Sequence, residues 1–523
     1  MSSVVEILQR NFSERWNQPL LIDAVTGRTY TYSQFAGLSA QWGQRLKARG
    51  AGPQTRVAIL LNNSPEFAAL YLACLFNGFV AVPINPNLHA REIDAILKRS
   101  GATCLVVSPV TRKALGATLS VFPEKSVLCM AAERDGAANG ESDVVRLTPP
   151  EESSRCAIDF ANVKAENLLS ITFTSGTTSL PKGICHTVRS LLSSAHAFNQ
   201  ALGLGADNRM YHVLPMSYMA GFLNTLLCPI MAGGSLVLNR PFDAQMALQF
   251  WPMAVKHNAD TLWLVPTILT SLLMLDRSKE SPEWCRRNIR VACVGTAPLP
   301  LRLRLDFEAR YGITLLESYG LSETLFVTSN TPAGLSPQGS AGRVLPGVTL
   351  KIHGDNNEVL PPGSDGEIAI QSPFLHAGYL NYDTQMPELE PPNAWFRSGD
   401  VGHLNESGDL FITNRKKDLV IRGGVNISPR AIEEVLQTHA AVETVAVIGL
   451  PHQFYGEQIV AVLRLKPGFE LEAEKKSLAA LCKEQLNSAS QPDRYIATDT
   501  FPTTTTGKIQ KNKLRKQYAG AKP

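Results

Sequence analysis

Over its first 400 residues the chain repeats one pattern: a short apolar run, a turn, then a segment with helical spacing. RVAILL (56–61) is followed by SPEFAALYLACLFNG (64–78) and then VAVPIN (80–85). The same rhythm returns in TLWLVP (261–266), ILTSLLMLD (268–276), IRVACVG (289–295) and LPLRLRLDFEARYG (299–312). Apolar strands joined through helices form largely parallel sheets, so the expected class is α/β. At 523 residues the chain is too long for one ordinary core, and at least two domains are expected.

The pattern changes twice further on. From 345 to 372, TLKIHG and PPGSDGEIAIQ read as short strands between turns, a β-rich and barrel-like subdomain. After NRKKD (414–418) come a helix, SPRAIEEVLQTH (428–439), with a Ser cap and Pro in its first turn, and the strands TVAVIGL (444–450) and QIVAVLRL (458–465). KSLAALCKEQL (476–486) reads as a second helix, completing a small α+β domain. Residues 130–156 read as an exposed connection.

A net charge of +4 is modest for this length and points away from nucleic acid. Nine dispersed Cys with no C-x-x-C pair argue against zinc and suggest reduced thiols in the cytoplasm. MSSVVEILQRNFSERW carries charges inside its apolar stretch, unlike a secretory signal. Residues 210–239 contain no Asp, Glu, Lys or Arg, a length that would permit a membrane span. Pro215, Asn224, Pro229 and Gly233-Gly234 break the run, however. The expectation is a loop, a buried helix near 219–231 and a strand near 235–238, with no stable membrane insertion.

ITFTSGTTSLPKG (171–183) is built to hold phosphate. Small residues let backbone N–H groups approach an oxyanion, the hydroxyls add donors, and Lys182 adds a mobile charge. It is not the common nucleotide loop, which needs Gly-Lys-Ser/Thr. Four further motifs follow it: YGLSE (319–323), WFRSGD (395–400), NRKKDLVIRGGVNISP (414–429) and PTTTTGK (502–508). In this order and spacing the chain resembles the adenylate-forming superfamily, which includes acyl-CoA synthetases, peptide-synthetase adenylation domains and beetle luciferases. The likeness extends from TYTYSQF (29–35) to GKIQKNKLRK (507–516).

The resemblance implies a large N-terminal adenylation domain of stacked α/β sheets (1–413), a hinge (414–418) and a small mobile C-terminal domain (419–523). It implies ATP, Mg²⁺ and coenzyme A, and a carboxylic acid activated as its acyl-adenylate before transfer to a thiol. Such catalysis is mostly positioning and electrostatics. By resemblance, Lys508, Glu323 and Lys182 are catalytic, and Glu323 holds the metal. ATP is met by Thr174, Ser175, Gly176, Thr177, Thr178, Ser179 and Lys182, then by Thr296, Ala297 and Pro298. Ser318, Tyr319, Gly320, Leu321, Ser322 and Glu323 continue that surface, with Lys508, and Asp400 and Arg415 grip the ribose. Lys417 is the hinge position, and Gly423, Gly424 and Tyr455 face CoA.

The acyl pocket falls on Tyr218, Met219, Phe222, Val265, Gly295, Thr296, Ser318 and Phe326 by the same resemblance. Thr296 and Phe326 stand where smaller residues often open a deep tunnel, which favours a small or medium acid. No acidic residue lies between 208 and 242 to pair with an α-ammonium, which argues against an amino acid. Ser179 and Asn414 replace common glycines, and Ser322 a common Thr, without changing the reaction class. Competing readings are an enzyme that loads a carrier-protein phosphopantetheine thiol, and a catalytically silent binding homologue. A hydrolase is weaker, because GLSET (320–324) lacks the second Gly of a nucleophile elbow. The oligomer is expected to be a monomer or homodimer.

Overall fold

The computed structural model describes residues 3–116, 122–123, 126–130, 144–145, 147–151, 158–174, 181–334, 336–389, 391, 394–422, 425–503 and 509–519. The strands that frame the site are β1 (Leu168–Thr174), β2 (Lys182–Thr187), β3 (Leu315–Leu321), β4 (Leu325–Ser329), β5 (Gly378–Leu380), β6 (Phe396–Leu404) and β7 (Leu410–Arg415).

The expected alternation produces two nine-stranded sheets. In one, the strands Arg56–Leu60, Val80–Pro83, Cys104–Val107, Val127–Met130 and Val144–Val145 run parallel with β1. In the other, Pro19–Asp23, Ser235–Leu238, Arg209–His212, Thr261–Leu264 and Val291–Val294 run parallel with β3. The helix between Arg56–Leu60 and Val80–Pro83 shows the local logic. Ser64 caps Pro65–Asn77 by accepting from the Phe67 N–H, Pro65 opens it, and Gly78 closes it at φ 67°.

Both parallel bodies end in antiparallel strands, which the sequence pattern did not reveal. β2 folds back on β1, and β5 then pairs with β2. β4 likewise folds back on β3. The segment expected to hold phosphate thus follows a strand that pairs antiparallel with the next one, unlike the strand-to-helix setting of the common nucleotide loops.

The β-rich segment is a four-stranded antiparallel sheet in the order Thr349–His353, Gly366–Gln371, β6, β7. Beyond it, the long hairpin Val442–His452/Gly456–Leu465 and the helices Pro429–Gln437 and Leu471–Gln485 build the small α+β unit. Its apolar clusters start at Val420 and contain no residue before it. The largest cluster of the preceding part runs from Ile7 to Leu410.

The charge-free stretch 210–239 is broken as expected, with a strand at Ser235–Leu238. Its helical part differs in kind: Ala220–Leu227 is π-helical and only Cys228–Ala232 is α-helical. Among the described residues no helix is long and apolar enough to cross a membrane. Most of the expected connection at 130–156 lies outside the described residues.

Candidate active site

The turn from β3 to β4 organises the site. Tyr319, Gly320 and Leu321 end β3, and Ser322, Glu323 and Thr324 make the turn. The Leu321 N–H donates to Thr324 Oγ1 at 3.1 Å, and Leu325 sits at φ 56°, a left-handed value unusual for Leu. A Cβ on Gly320 would lie 1.9 Å from the Leu325 carbonyl, so no larger residue fits this hairpin. Glu323 is therefore held on a tight turn rather than at a helix start.

Glu323 is tied to the phosphate-loop hairpin through Tyr379. The Tyr379 hydroxyl donates to Glu323 Oε1 at 3.0 Å, and Lys182 Nζ lies 5.0 Å from the centre of the same ring. Register explains the meeting: Lys182 opens β2 opposite Thr174, and Tyr379 on β5 pairs with Ile184 of β2. Three residues further on, the Tyr382 hydroxyl donates to the Pro181 carbonyl at 2.6 Å, and the Arg99 guanidinium lies over its ring. Ser175, Gly176, Thr177, Thr178 and Ser179 lie outside the described residues. Sequence reasoning missed both tyrosines, whose only signal was the aromatic pair in GYLNY (378–382).

Asp400 and Arg415 face each other on β6 and β7, with Arg415 Nε 2.8 Å from Asp400 Oδ1. The Tyr319 hydroxyl donates to Asp400 Oδ2 at 2.8 Å, joining β3 to this sheet. Burial, then the Asp400 charge, pushes the Tyr319 hydroxyl well up, so it stays protonated and donates. Asp400 is buried, and the Ser398 hydroxyl accepts from its N–H.

Two buried imidazoles back the turn, and neither was expected. His186 Nε2 donates to the Ser322 carbonyl at 2.6 Å, and the His376 N–H donates to the Glu323 carbonyl at 2.8 Å. Burial lowers His186 to about 3 and His376 to about 4, so both are neutral near pH 7. The His376 ring packs edge-on against Tyr379 and Phe396, and among the described residues neither of its ring nitrogens has a hydrogen-bond partner.

Of the expected acyl-pocket residues, Gly295, Ser318 and Phe326 meet around Trp263 beside β3 and β4. Gly295 presents its bare face to Ser318 and Trp263. Phe326 stacks on Phe198 at 3.9 Å, and Trp263 packs against both rings. Phe326 and Val265 are buried, while Tyr218 and Met219 are half-buried just before the π-helical turn. Burial raises the Tyr218 hydroxyl, against a hydrogen bond with Asn85. Phe222 belongs to the core, stacked on Tyr71 at 3.8 Å. Thr296 sits at φ 69°, a strained value for a β-branched residue, followed by half-buried Ala297 and exposed Pro298.

The family model described as AMP-binding enzyme matches residues 8–380, and the one described as AMP-binding enzyme C-terminal domain matches 431–508. The chain belongs to the AMP-binding enzyme family. Among relatives of this AMP-binding enzyme, a sulfoacetate–CoA ligase of Cupriavidus necator is 29% identical, over 95% of this chain and 94% of its own length. The long-chain-fatty-acid–CoA ligase FadD13 of Mycobacterium tuberculosis is 30% identical, over 96% of each chain. The crystal structure of ATP-bound MatB from Rhodopseudomonas palustris superposes with a TM-score of 0.84 at 27% identity, over 99% of both chains.

In this AMP-binding enzyme Lys417 lies in the short turn Lys416–Asp418 directly after β7. Burial, then the Arg415 charge, lowers its ammonium, partly offset by Asp418 and Asp400. Arg515, on the helix Lys511–Tyr518, donates to the carbonyls of Lys417 and Asp418 at 3.3 and 3.2 Å. Lys508 lies outside the described residues, and Thr503 and Ile509 form an antiparallel bridge. Gly423 and Gly424 also lie outside the described residues. Tyr455 is half-exposed, with the Arg422 guanidinium 5.0 Å above its ring and His452 stacked at 5.1 Å.

Proposed function

We propose that this AMP-binding enzyme is an ATP-dependent acid–CoA ligase acting on a small or medium carboxylic acid. The carrying observation is that two contact chains meet on one hairpin. Lys182–Tyr379–Glu323 ends on the β3–β4 turn, and Tyr319–Asp400–Arg415 starts from β3 itself. The first places a cation and a hard carboxylate at the phosphate loop. The second sets an anionic acceptor beside a guanidinium fork, which supports the reading that this pair grips a ribose diol. The CoA acceptor is supported by relatives named as CoA ligases.

In the first half-reaction a carboxylate oxygen attacks the α-phosphorus of ATP, and pyrophosphate leaves as the acyl–phosphate bond forms. In the second, the CoA thiolate attacks the acyl carbon, the carbon–sulfur bond forms, and AMP takes the electron pair of the broken carbon–oxygen bond. Lys182 and Lys508 offset charge on the phosphoryl oxygens. Tyr319 and Gly320 wall the adenine, and Thr174, Ser175, Gly176, Thr177, Thr178 and Ser179 cradle phosphate. Asp400 and Arg415 orient the ribose. Rotation at Lys417 brings Gly423, Gly424 and Tyr455 to CoA for the second step.

A magnesium ion fits the donor set. Glu323 Oε1 is held by Tyr379, and Oε2 has no hydrogen bond among the described residues. Mg²⁺ characteristically takes one or two carboxylates plus substrate phosphates. When bound it neutralises charge shared with the phosphates. The size of the acid is supported by the Phe198–Trp263–Phe326 cluster, which fills space behind Gly295.

Acid-dependent ATP–pyrophosphate exchange over a panel of chain lengths tests the reading, with AMP release followed with and without CoA. Exchange confined to short and medium acids, with CoA-stimulated AMP release, is expected. Exchange without CoA stimulation refutes the acceptor, and a preference for long chains refutes the pocket assignment.

A further inference from the structure

We propose that Tyr379 and Tyr382 are positioning residues that split one task. Tyr379 couples the Glu323 carboxylate to Lys182, and Tyr382 pins Pro181, the residue before that lysine. The inference rests on the ATP reading of this site and adds to it a division of labour within the β5 segment.

Tyr379 touches both Glu323 and Lys182. Its hydroxyl fixes one carboxylate oxygen, and its ring lies beneath the ammonium. The ring is held edge-on by His376, whose own backbone N–H is bonded to the Glu323 carbonyl. The Glu323 side chain is thereby held at its carboxylate and its main chain at its carbonyl, both from the segment 376–379.

Tyr382 acts on the other leg. Its hydroxyl holds the Pro181 carbonyl, the residue before Lys182. Its ring is covered by Arg99, and the Gln385 side chain and carbonyl accept from Arg56, the first residue of an inner strand of the parallel body. The Gln385 amide also donates to the Tyr382 carbonyl at 2.7 Å. The turn is thus anchored at both ends, and Tyr382 passes that anchorage to Pro181 without touching Glu323.

The two hydroxyls therefore predict different losses. ATP affinity is measured by calorimetry with excess Mg²⁺ and again with chelator, for the wild type, Tyr379→Phe and Tyr382→Phe. Tyr379→Phe keeps the ring under Lys182, so affinity without Mg²⁺ stays at the wild-type value. The gain in affinity that Mg²⁺ confers falls about tenfold, the usual scale for removing a partner that orients a metal-binding carboxylate. Tyr382→Phe weakens ATP by about threefold to tenfold, equally with and without Mg²⁺, as loss of a neutral hydrogen bond does. In Glu323→Gln the Mg²⁺-dependent gain is lost, and adding Tyr379→Phe to it changes nothing further.

Equal losses in both conditions for Tyr379→Phe, or no loss, overturn the coupling. A Tyr382→Phe effect confined to Mg²⁺ overturns the division of labour. A wild-type protein that binds no ATP under either condition sinks the ATP reading and this inference together, whereas normal wild-type binding with silent variants sinks the inference alone.

Discussion

Replacing Asp400 by Asn tests the ribose assignment at the best-defined pair in the site. The wild-type carboxylate accepts from Tyr319 at one oxygen and Arg415 at the other, both at 2.8 Å. Asn keeps the shape and the Tyr319 bond but removes the charge. The Arg415 guanidinium is a third exposed, so its pairing is partly screened and its loss costs about 1 kcal/mol of stability. A bond from Asp400 to a ribose hydroxyl changes from charge-assisted to neutral, a loss of about 1.5 kcal/mol, or roughly tenfold in ATP affinity. Calorimetric titration with ATP, 2′-deoxy-ATP and 3′-deoxy-ATP separates this from general damage. In the wild type, one deoxy analogue loses affinity because its hydroxyl is missing. In Asp400→Asn that same analogue loses less, because the bond it lacks is already weakened. A variant that binds ATP as tightly as wild type, or analogue losses that are identical in both proteins, refutes the assignment.

The acid pocket, a buried ion network and the buried histidines give further tests. In Gly295→Ala the new methyl would sit 3.0 Å from Ser318 Oγ and 3.4 Å from Trp263, so the KM for the acid rises about tenfold while the KM for ATP holds, read by pyrophosphate exchange. Arg304, nearly buried, bonds Glu317 at 2.8 Å and Glu308 at 3.1 Å behind β3. Arg304→Met takes the cation from both carboxylates, leaving buried Glu317 without its partner, and costs about 3–5 kcal/mol, lowering the urea midpoint, and adding Glu317→Leu recovers part of the loss. His186 and His376 are held far below their unfolded value of 6.5, so the unfolded chain binds their protons first. Stability is therefore full above pH 6.5 and falls as pH drops from 6.5 toward 4, by up to about 1.4 kcal/mol per unit for each ring. Urea midpoints between pH 7.5 and 5 check this, and His376→Met should flatten the slope.

The parallel bodies were legible because runs such as RVAILL and VAVPIN carry an unambiguous burial signal, with Ser-Pro and Gly marking the helix between them. The antiparallel ends were not. KGICHT (β2) and LFVTS (β4) carry no mark of strand direction, which is set by turn length and pairing that composition does not encode. The helix expected at 219–231 was found in place but mostly π-helical, because an extra residue per turn leaves the apolar pattern nearly unchanged. Within the site, Glu323, Asp400 and Arg415 were flagged by motifs in which each is a conspicuous charge. Tyr379 escaped because its importance comes from a contact spanning 56 positions, and His376 because a lone His carries no periodicity.

The apolar clusters that begin at Val420 share no member with those that precede it, and this has a consequence for recombination. A crossover at Leu419 between two homologous chains exchanges these clusters whole, and new packing must be matched where the helix Pro429–Gln437 meets β7. What it disturbs is a short roster of polar ties, chiefly Arg515 to the carbonyls of Lys417 and Asp418, Ser428 to Thr413, and Arg430 to Ile412. Three of these four end on main-chain carbonyls accepted from an Arg, and all four use acceptors every homologue possesses. The Arg515–Asp418 ion pair adds a side-chain acceptor, so hybrids that retain Asp418 with Arg515, Ser428 and Arg430 should inherit a working joint.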